Sequence, residues 1–146
     1  MAKIRISKEF DFEMAHALDG YDGPCKHVHG HSYGLIVTVI GEPQKEGVKK
    51  GMVMDYGDLK SIVKHAIIDR WDHALLISND QKEEIPKNSK GLFAKVEYVD
   101  YQPTSENMLF DIVYKIQDKL PEEIKLHSVF LRETARSWAE WYAEDN

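Results

Sequence analysis

The chain has 146 residues, 42% hydrophobic and 30% charged, enough for one domain with an ordinary core and no need of staples. Nineteen Lys and Arg stand against 25 Asp and Glu, a formal net charge of -6, which argues against direct nucleic-acid binding but leaves room for an anionic small molecule in a locally cationic cleft. One cysteine excludes an internal disulfide. MAKIRISKEF has no apolar leader and no apolar run approaches the length of a membrane span, so the expectation is a cytoplasmic protein with no membrane partner.

Residues 4–16 alternate, with Phe10, Phe12, Met14 and His16 on one parity and Glu9, Asp11 and Glu13 on the other, the pattern of a half-buried strand. Turn residues follow in LDGYDGPC. Residues 29–40 alternate again, with His29, His31, Tyr33, Leu35, Val37 and Val39 together, and Gly41 closing the run. Asp55, Gly57 and Asp58 signal a helix start. Leu59, Ile62, Val63, Ala66, Ile67 and Trp71 then recur at helical spacing. The polar segment from Ser78 to Lys90 reads as a surface loop or insertion, and LFAKVEYVDY as a short strand.

PTSEN opens a second helix capped by Thr104 or Ser105, with Leu109, Ile112, Val113, Ile116 and Leu120 as its stripe and Pro121 as its stop. LHSVFLRET is a further strand, with Val129, Leu131 and Glu133 on one face. RSWAEWYAED fits either a helix or a strand. Strands interrupted by helices imply an α+β domain with helices on an antiparallel sheet.

Residues i and i+2 of a strand share a face, so His29 and His31 project side by side. His16 ends the preceding strand on the same apolar parity. If the two strands pair antiparallel, three imidazoles converge, and three histidines with an open fourth position are a catalytic zinc pattern. His65 and His127 read as structural or solvated, and His27 as exposed. Cys25, beside Lys26, has two readings. It is a fourth ligand that closes a structural site, or a base or nucleophile next to an open one. Asp72 and His73 are adjacent past a helix, where the acid can orient the imidazole for proton transfer. Glu133 faces inward and needs a partner, either a basic side chain or a planar amidine-type ligand.

FEMAH, CKHVHGHSY, WDHALL, PTSEN and RET, in this order, resemble the 6-pyruvoyltetrahydropterin synthase and 6-carboxytetrahydropterin synthase family from Phe10 to about Tyr142. The resemblance implies a single tunnelling-fold domain: an antiparallel four-stranded sheet, two helices on one face, and a strand in the tail. Three subunits would close their sheets into a barrel, and two trimers would stack as a homohexamer. It implies zinc on His16, His29 and His31, with Cys25 as the catalytic thiol. Asp72 and His73 would be a proton relay that can serve a neighbouring subunit. Glu133 would anchor the pterin, with Thr104 and Ser105 in contact with it.

The implied substrate is 7,8-dihydroneopterin triphosphate. Three residues separate Cys25 from His29, which resembles the 6-carboxytetrahydropterin branch that leads to queuosine or archaeosine. The pyruvoyl branch usually carries a longer spacer. A non-catalytic zinc- or pterin-binding scaffold is the alternative of another class. The segment 78–101 departs from the family as an insertion.

Overall fold

Two strands of equal length set the frame. β1 (Ile4–His16) and β2 (His29–Gly41) pair antiparallel in unbroken register from Ile4 opposite Gly41 to His16 opposite His29. The computed structural model describes residues 2–89 and 91–146. Alternation puts Phe12, Met14, Tyr33, Leu35, Val37 and Val39 on one face, all buried. Each such side chain removed from water contributes about 1.5–3 kcal/mol. At Gly41 a Cβ would lie 2.7 Å from Ile124 Cδ1 and 3.1 Å from Val53 Cγ1, so a side chain there would force these neighbours to shift.

The helices cover that face. Asp55 caps α1 (Tyr56–Val63) by accepting from Gly57 N at 2.6 Å. The rod continues through a π-helical turn, Lys64–Ile68, into a last turn, α2 (Asp69–Trp71). Leu59, Val63, Ile67 and Trp71, each four residues apart, are buried along it. The Phe12 ring stacks on Tyr33 at 5.0 Å and meets Trp71 at 6.0 Å, tying sheet to helix. Thr104 caps α3 (Ser105–Gln117) by accepting from Asn107 N at 3.2 Å. Its stripe of Met108, Leu109, Ile112, Val113 and Ile116 is buried. The helix ends at Gln117, short of the expected stop at Pro121.

The sheet is larger than the expected four strands and is mixed rather than wholly antiparallel. The additional strands are β3 (Ala74–Ser78), which has no periodic signal, and β4 (Lys95–Val99), the short strand expected in LFAKVEYVDY; β5 (Lys125–Thr134) and β6 (Ser137–Tyr142) follow in the chain. The order is β4-β3-β1-β2-β5-β6. β5 and β6 extend the sheet antiparallel beyond β2, which makes the ambiguous tail a strand. On the other side β3 runs parallel to the Met14–His16 end of β1, and β4 parallel to β3. Every residue of β3 is buried, so ALLIS shows none of the alternation that betrays a one-sided strand. The polar segment is ordered in part as a 3-10 helix, Asn79–Glu84, capped by Ser78. Its expected last residue, Lys90, lies outside the described residues. No described helix is long and apolar enough to cross a membrane.

Candidate metal centre and active site

The site grows from one end of the β1–β2 ladder. His16 faces His29 directly across the pair, and His31 lies two residues further along β2 on the same face. His16 Nε2 and His29 Nε2 are 3.1 Å apart. Two imidazole nitrogens bound to one tetrahedral ion would be separated by roughly 3.3 Å, given metal–nitrogen bonds of about 2.0–2.1 Å. Glu133, on the inward face of β5, brings Oε1 to 3.0 Å from His31 Nε2 and 3.8 Å from His16 Nε2. One donor atom from each of these four residues lies within 4.8 Å of the others, and among the described residues this is the one such group of His, Cys, Asp or Glu side chains.

The far nitrogen of two rings is already committed. His16 Nδ1 lies 2.7 Å from the Pro103 carbonyl, and His29 Nδ1 lies 2.7 Å from the His27 carbonyl. Each carbonyl selects the tautomer with hydrogen on Nδ1 and frees the Nε2 lone pair for a metal. His31 Nε2 is buried and, despite the nearby carboxylate, has no partner in hydrogen-bond geometry. Burial is the main reason the His16 and His31 pKa values fall below 6.5, against the opposing pull of the Pro103 carbonyl on His16 and of the Glu133 charge on both. Neutral imidazoles with inward lone pairs and a carboxylate beside them fit a divalent cation.

Glu133 is positioned as well as present. Ser105 Oγ donates to its Oε2 at 2.5 Å, so the first turn of α3 grips the carboxylate. Thr104 spends its hydroxyl on the helix cap. Tyr33 lies under the cluster, with its ring 5.5 Å from His31 and its hydroxyl buried without a partner. Burial, helped by the Glu133 charge, pushes that phenol well above its ordinary pKa.

Asp72 and His73 do form a pair. Asp72 Oδ1 accepts from Glu13 N at 2.9 Å and lies 3.0 Å from His73 Nδ1. His73 takes a left-handed φ of 63°, unusual for a residue with a Cβ, and its N–H donates to the Glu13 carbonyl at 2.6 Å. It lines an open cleft of about 510 Å³ together with Gly30, His31, Ser32 and Lys95. Cys25 is a free, half-buried thiol in a 3-10 turn, Pro24–Lys26, and does not belong to the four-residue group. Lys26 and His27 are exposed. His65 is exposed and bonds within its helix to Ser61 O, while His127 packs against Tyr142, so neither joins the site.

Sequence reasoning passed over the Pro103 and His27 carbonyls that orient the ligands, because a backbone acceptor carries no side-chain signature. It also passed over Gln102 and Tyr33. Parity alone placed Tyr33 with the histidines, and the pattern gave no reason to read it as more than core.

The family model for 6-pyruvoyl tetrahydropterin synthase matches residues 5–144. A 6-carboxy-5,6,7,8-tetrahydropterin synthase from Haemophilus influenzae is 41% identical over 140 residues, covering 94% of this chain and 98% of that protein. A protein of the same name from Synechocystis is 34% identical over 140 residues, covering 94% and 92%. Among solved structures, an uncharacterized protein from Wolinella succinogenes superposes with a TM-score of 0.78 at 23% identity, covering 98% of this chain and 99% of its own. The 6-pyruvoyl tetrahydropterin synthase of Caenorhabditis elegans gives 0.68 at 23% identity, covering 98% and 97%. At these identities the two structures speak for the fold alone. The family match over nearly the whole chain and the curated relatives lead to one conclusion: this chain belongs to the 6-pyruvoyl tetrahydropterin synthase family.

Proposed function

We propose that the protein is a zinc-dependent carbon–oxygen lyase that converts 7,8-dihydroneopterin triphosphate and one water to 6-carboxytetrahydropterin: triphosphate leaves by elimination, and acetaldehyde leaves by a further carbon–carbon cleavage in which water supplies the carboxylate oxygen. It would work in the cytoplasm, in deazaguanine synthesis toward queuosine or archaeosine. The observation that carries this reading is the convergence of the His16, His29 and His31 rings, with the Nδ1 atoms of His16 and His29 already tied to carbonyls. The names of the curated relatives support the choice of branch.

Zinc held by the three imidazoles would supply Lewis acidity toward the hydroxyls of the substrate side chain. The protein does the rest. Glu133, gripped at Oε2 by Ser105, offers Oε1 to the amidine-like edge of the pterin and fixes its rotation. Thr104, the cap of α3 next to Ser105, would contact the pterin as well. Cys25 would move protons at carbon, with Asp72 and His73 returning them. Asp72 holds Nδ1 of His73, so the ring presents Nε2 to a proton in transit.

His73 is 70% exposed, which suits a relay completed by a second subunit. β3 pairs with β1 only at its Met14–His16 end, and β6 is a sheet edge. Pairing of β1 and β6 edges between copies would close three sheets into the barrel of a homohexamer and remove exposed edges.

The test is to incubate metal-replete protein with 7,8-dihydroneopterin triphosphate, identify the pterin by mass and assay acetaldehyde. 6-Carboxytetrahydropterin with acetaldehyde is expected. Pyruvoyltetrahydropterin without acetaldehyde would move the protein to the other branch. Cys25→Ala should keep zinc and lose turnover. Loss of zinc in that variant would mark Cys25 as a ligand in a non-catalytic scaffold.

A further inference from the structure

The segment 17–28 joins β1 to β2 and carries Cys25. Its backbone bonds are short-range turns: Leu18 N donates to the Cys25 carbonyl at 3.0 Å, Lys26 N to Gly23 at 3.2 Å and His27 N to Pro24 at 3.1 Å. Such a loop is closed on itself but not thereby fixed against the rest of the molecule. Its far end is tied to the site by the His27 carbonyl at His29 Nδ1, 2.7 Å away, and its near end is held from 83 positions away. The Gln102 carboxamide accepts from Asp19 N at 2.9 Å and donates to the Asp19 carbonyl at 2.8 Å, copying with one side chain the two bonds of a strand pair. Asp19 adjoins Leu18, which holds the Cys25 carbonyl.

Gln102 is itself held at its backbone. Its carbonyl accepts from Asn107 Nδ2 at 3.0 Å and from Thr104 N at 2.8 Å. Its neighbour Pro103 supplies the carbonyl that orients His16, and two residues further Ser105 holds Glu133. One bend, Gln102 to Ser105, therefore touches a metal-site histidine, the carboxylate and the thiol loop.

We propose that Gln102 is a positioning residue that registers the Cys25 loop against the metal centre. The inference rests on the assignment of Cys25 as the reacting thiol, and it adds a residue that fixes where that thiol stands. A misplacement of about 1 Å at a reacting group can cost about 100-fold in rate, so a two-bond latch is proportionate to the task. Gln102 is half-buried and its contact with the loop is to backbone only, so its replacement frees the loop without opening the core.

The test uses the full chain loaded with zinc. Gln102→Met keeps length and volume and removes both bonds. Gln102→Glu keeps the acceptor for Asp19 N and loses the donor. Because Cys25 is the only thiol, its alkylation by iodoacetamide reads the loop directly, whatever the protein turns over. Gln102→Met is expected to raise the alkylation rate about tenfold, the order set by two lost neutral hydrogen bonds. Gln102→Glu should fall between it and the unsubstituted protein.

Zinc content and Tm should hold, and with dihydroneopterin triphosphate kcat should fall while KM stays near its original value. An unchanged alkylation rate in both variants would overturn the proposal. So would a rise that comes only with loss of zinc or of the fold. Absence of turnover in the unsubstituted protein would count against the proposed function, while the alkylation result would still decide whether Gln102 holds the loop.

Discussion

Two groups of imidazoles mark the chemistry of this molecule, and they are built in opposite ways. His16, His29 and His31 converge at the end of one strand pair, with His16 only 1% exposed. His73 is 70% exposed, on a left-handed residue just before β3. Both groups have oriented nitrogens: carbonyls hold His16 and His29, and Asp72 holds His73. The difference lies in what completes them. The buried group has three imidazoles from one chain within reach of a single ion, with the Glu133 carboxylate beside them. The exposed pair has its acid and its imidazole but opens on a cleft, and in the proposed reading substrate or another subunit supplies its remaining partner. In the proposed reading, metal binding is a property of the fold and proton relay a property of the assembly.

Substitutions can break that contrast. His31→Ala should lose the metal and about 10³-fold in kcat/KM, the several kcal/mol that a Lewis acid supplies, with metal content read by elemental analysis. Asp72→Asn should cost about 100-fold in kcat while zinc content stays the same, because only the exposed pair is affected. A joint loss of zinc and activity there would show that the two groups are one structural unit.

Acid should separate them too. The lowered pKa values of His16 and His31 mean that the unfolded chain binds more protons than the folded one below 6.5. In metal-free protein their contribution to stability is complete above pH 6.5. It is lost as pH falls from there through the lowered values, and denaturant unfolding across this range measures it. The smallest effect on stability is expected at His73→Gly. A left-handed residue with a Cβ costs roughly 1–2 kcal/mol, part of which glycine recovers, so Tm should rise slightly while activity falls.

Much of the frame was legible because β1 and β2 are buried on one face only. Alternation over 4–16 and 29–40 located both strands and set the three histidines on one side. Asp55 and Thr104 announced their helices by cap chemistry. β3 was illegible for the opposite reason: with both faces covered, its five buried residues carry no period, whereas β4 was legible in LFAKVEYVDY and only its place at the edge of the main sheet was not. The tail was ambiguous because Trp138, Trp141 and Tyr142 satisfy helical spacing, whereas pairing of β6 with β5 decides the matter.

Within the site, parity gave Glu133 its inward direction but not its neighbours. Its approach to His31 and its bond from Ser105 depend on where β5 and α3 pack. The carbonyls of Pro103 and His27 lie beyond any reading of side chains. So does the reach of Gln102 to Asp19, which spans 83 positions.

In the proposed reading the ion sits on imidazole nitrogens while the thiol stays free for chemistry. X-ray absorption of the zinc-loaded protein tests it directly. The account predicts a first shell of nitrogen and oxygen only, at about 2.0–2.2 Å, with the outer-shell pattern of three imidazoles. A zinc–sulfur distance of about 2.3 Å would place Cys25 on the metal and contradict it.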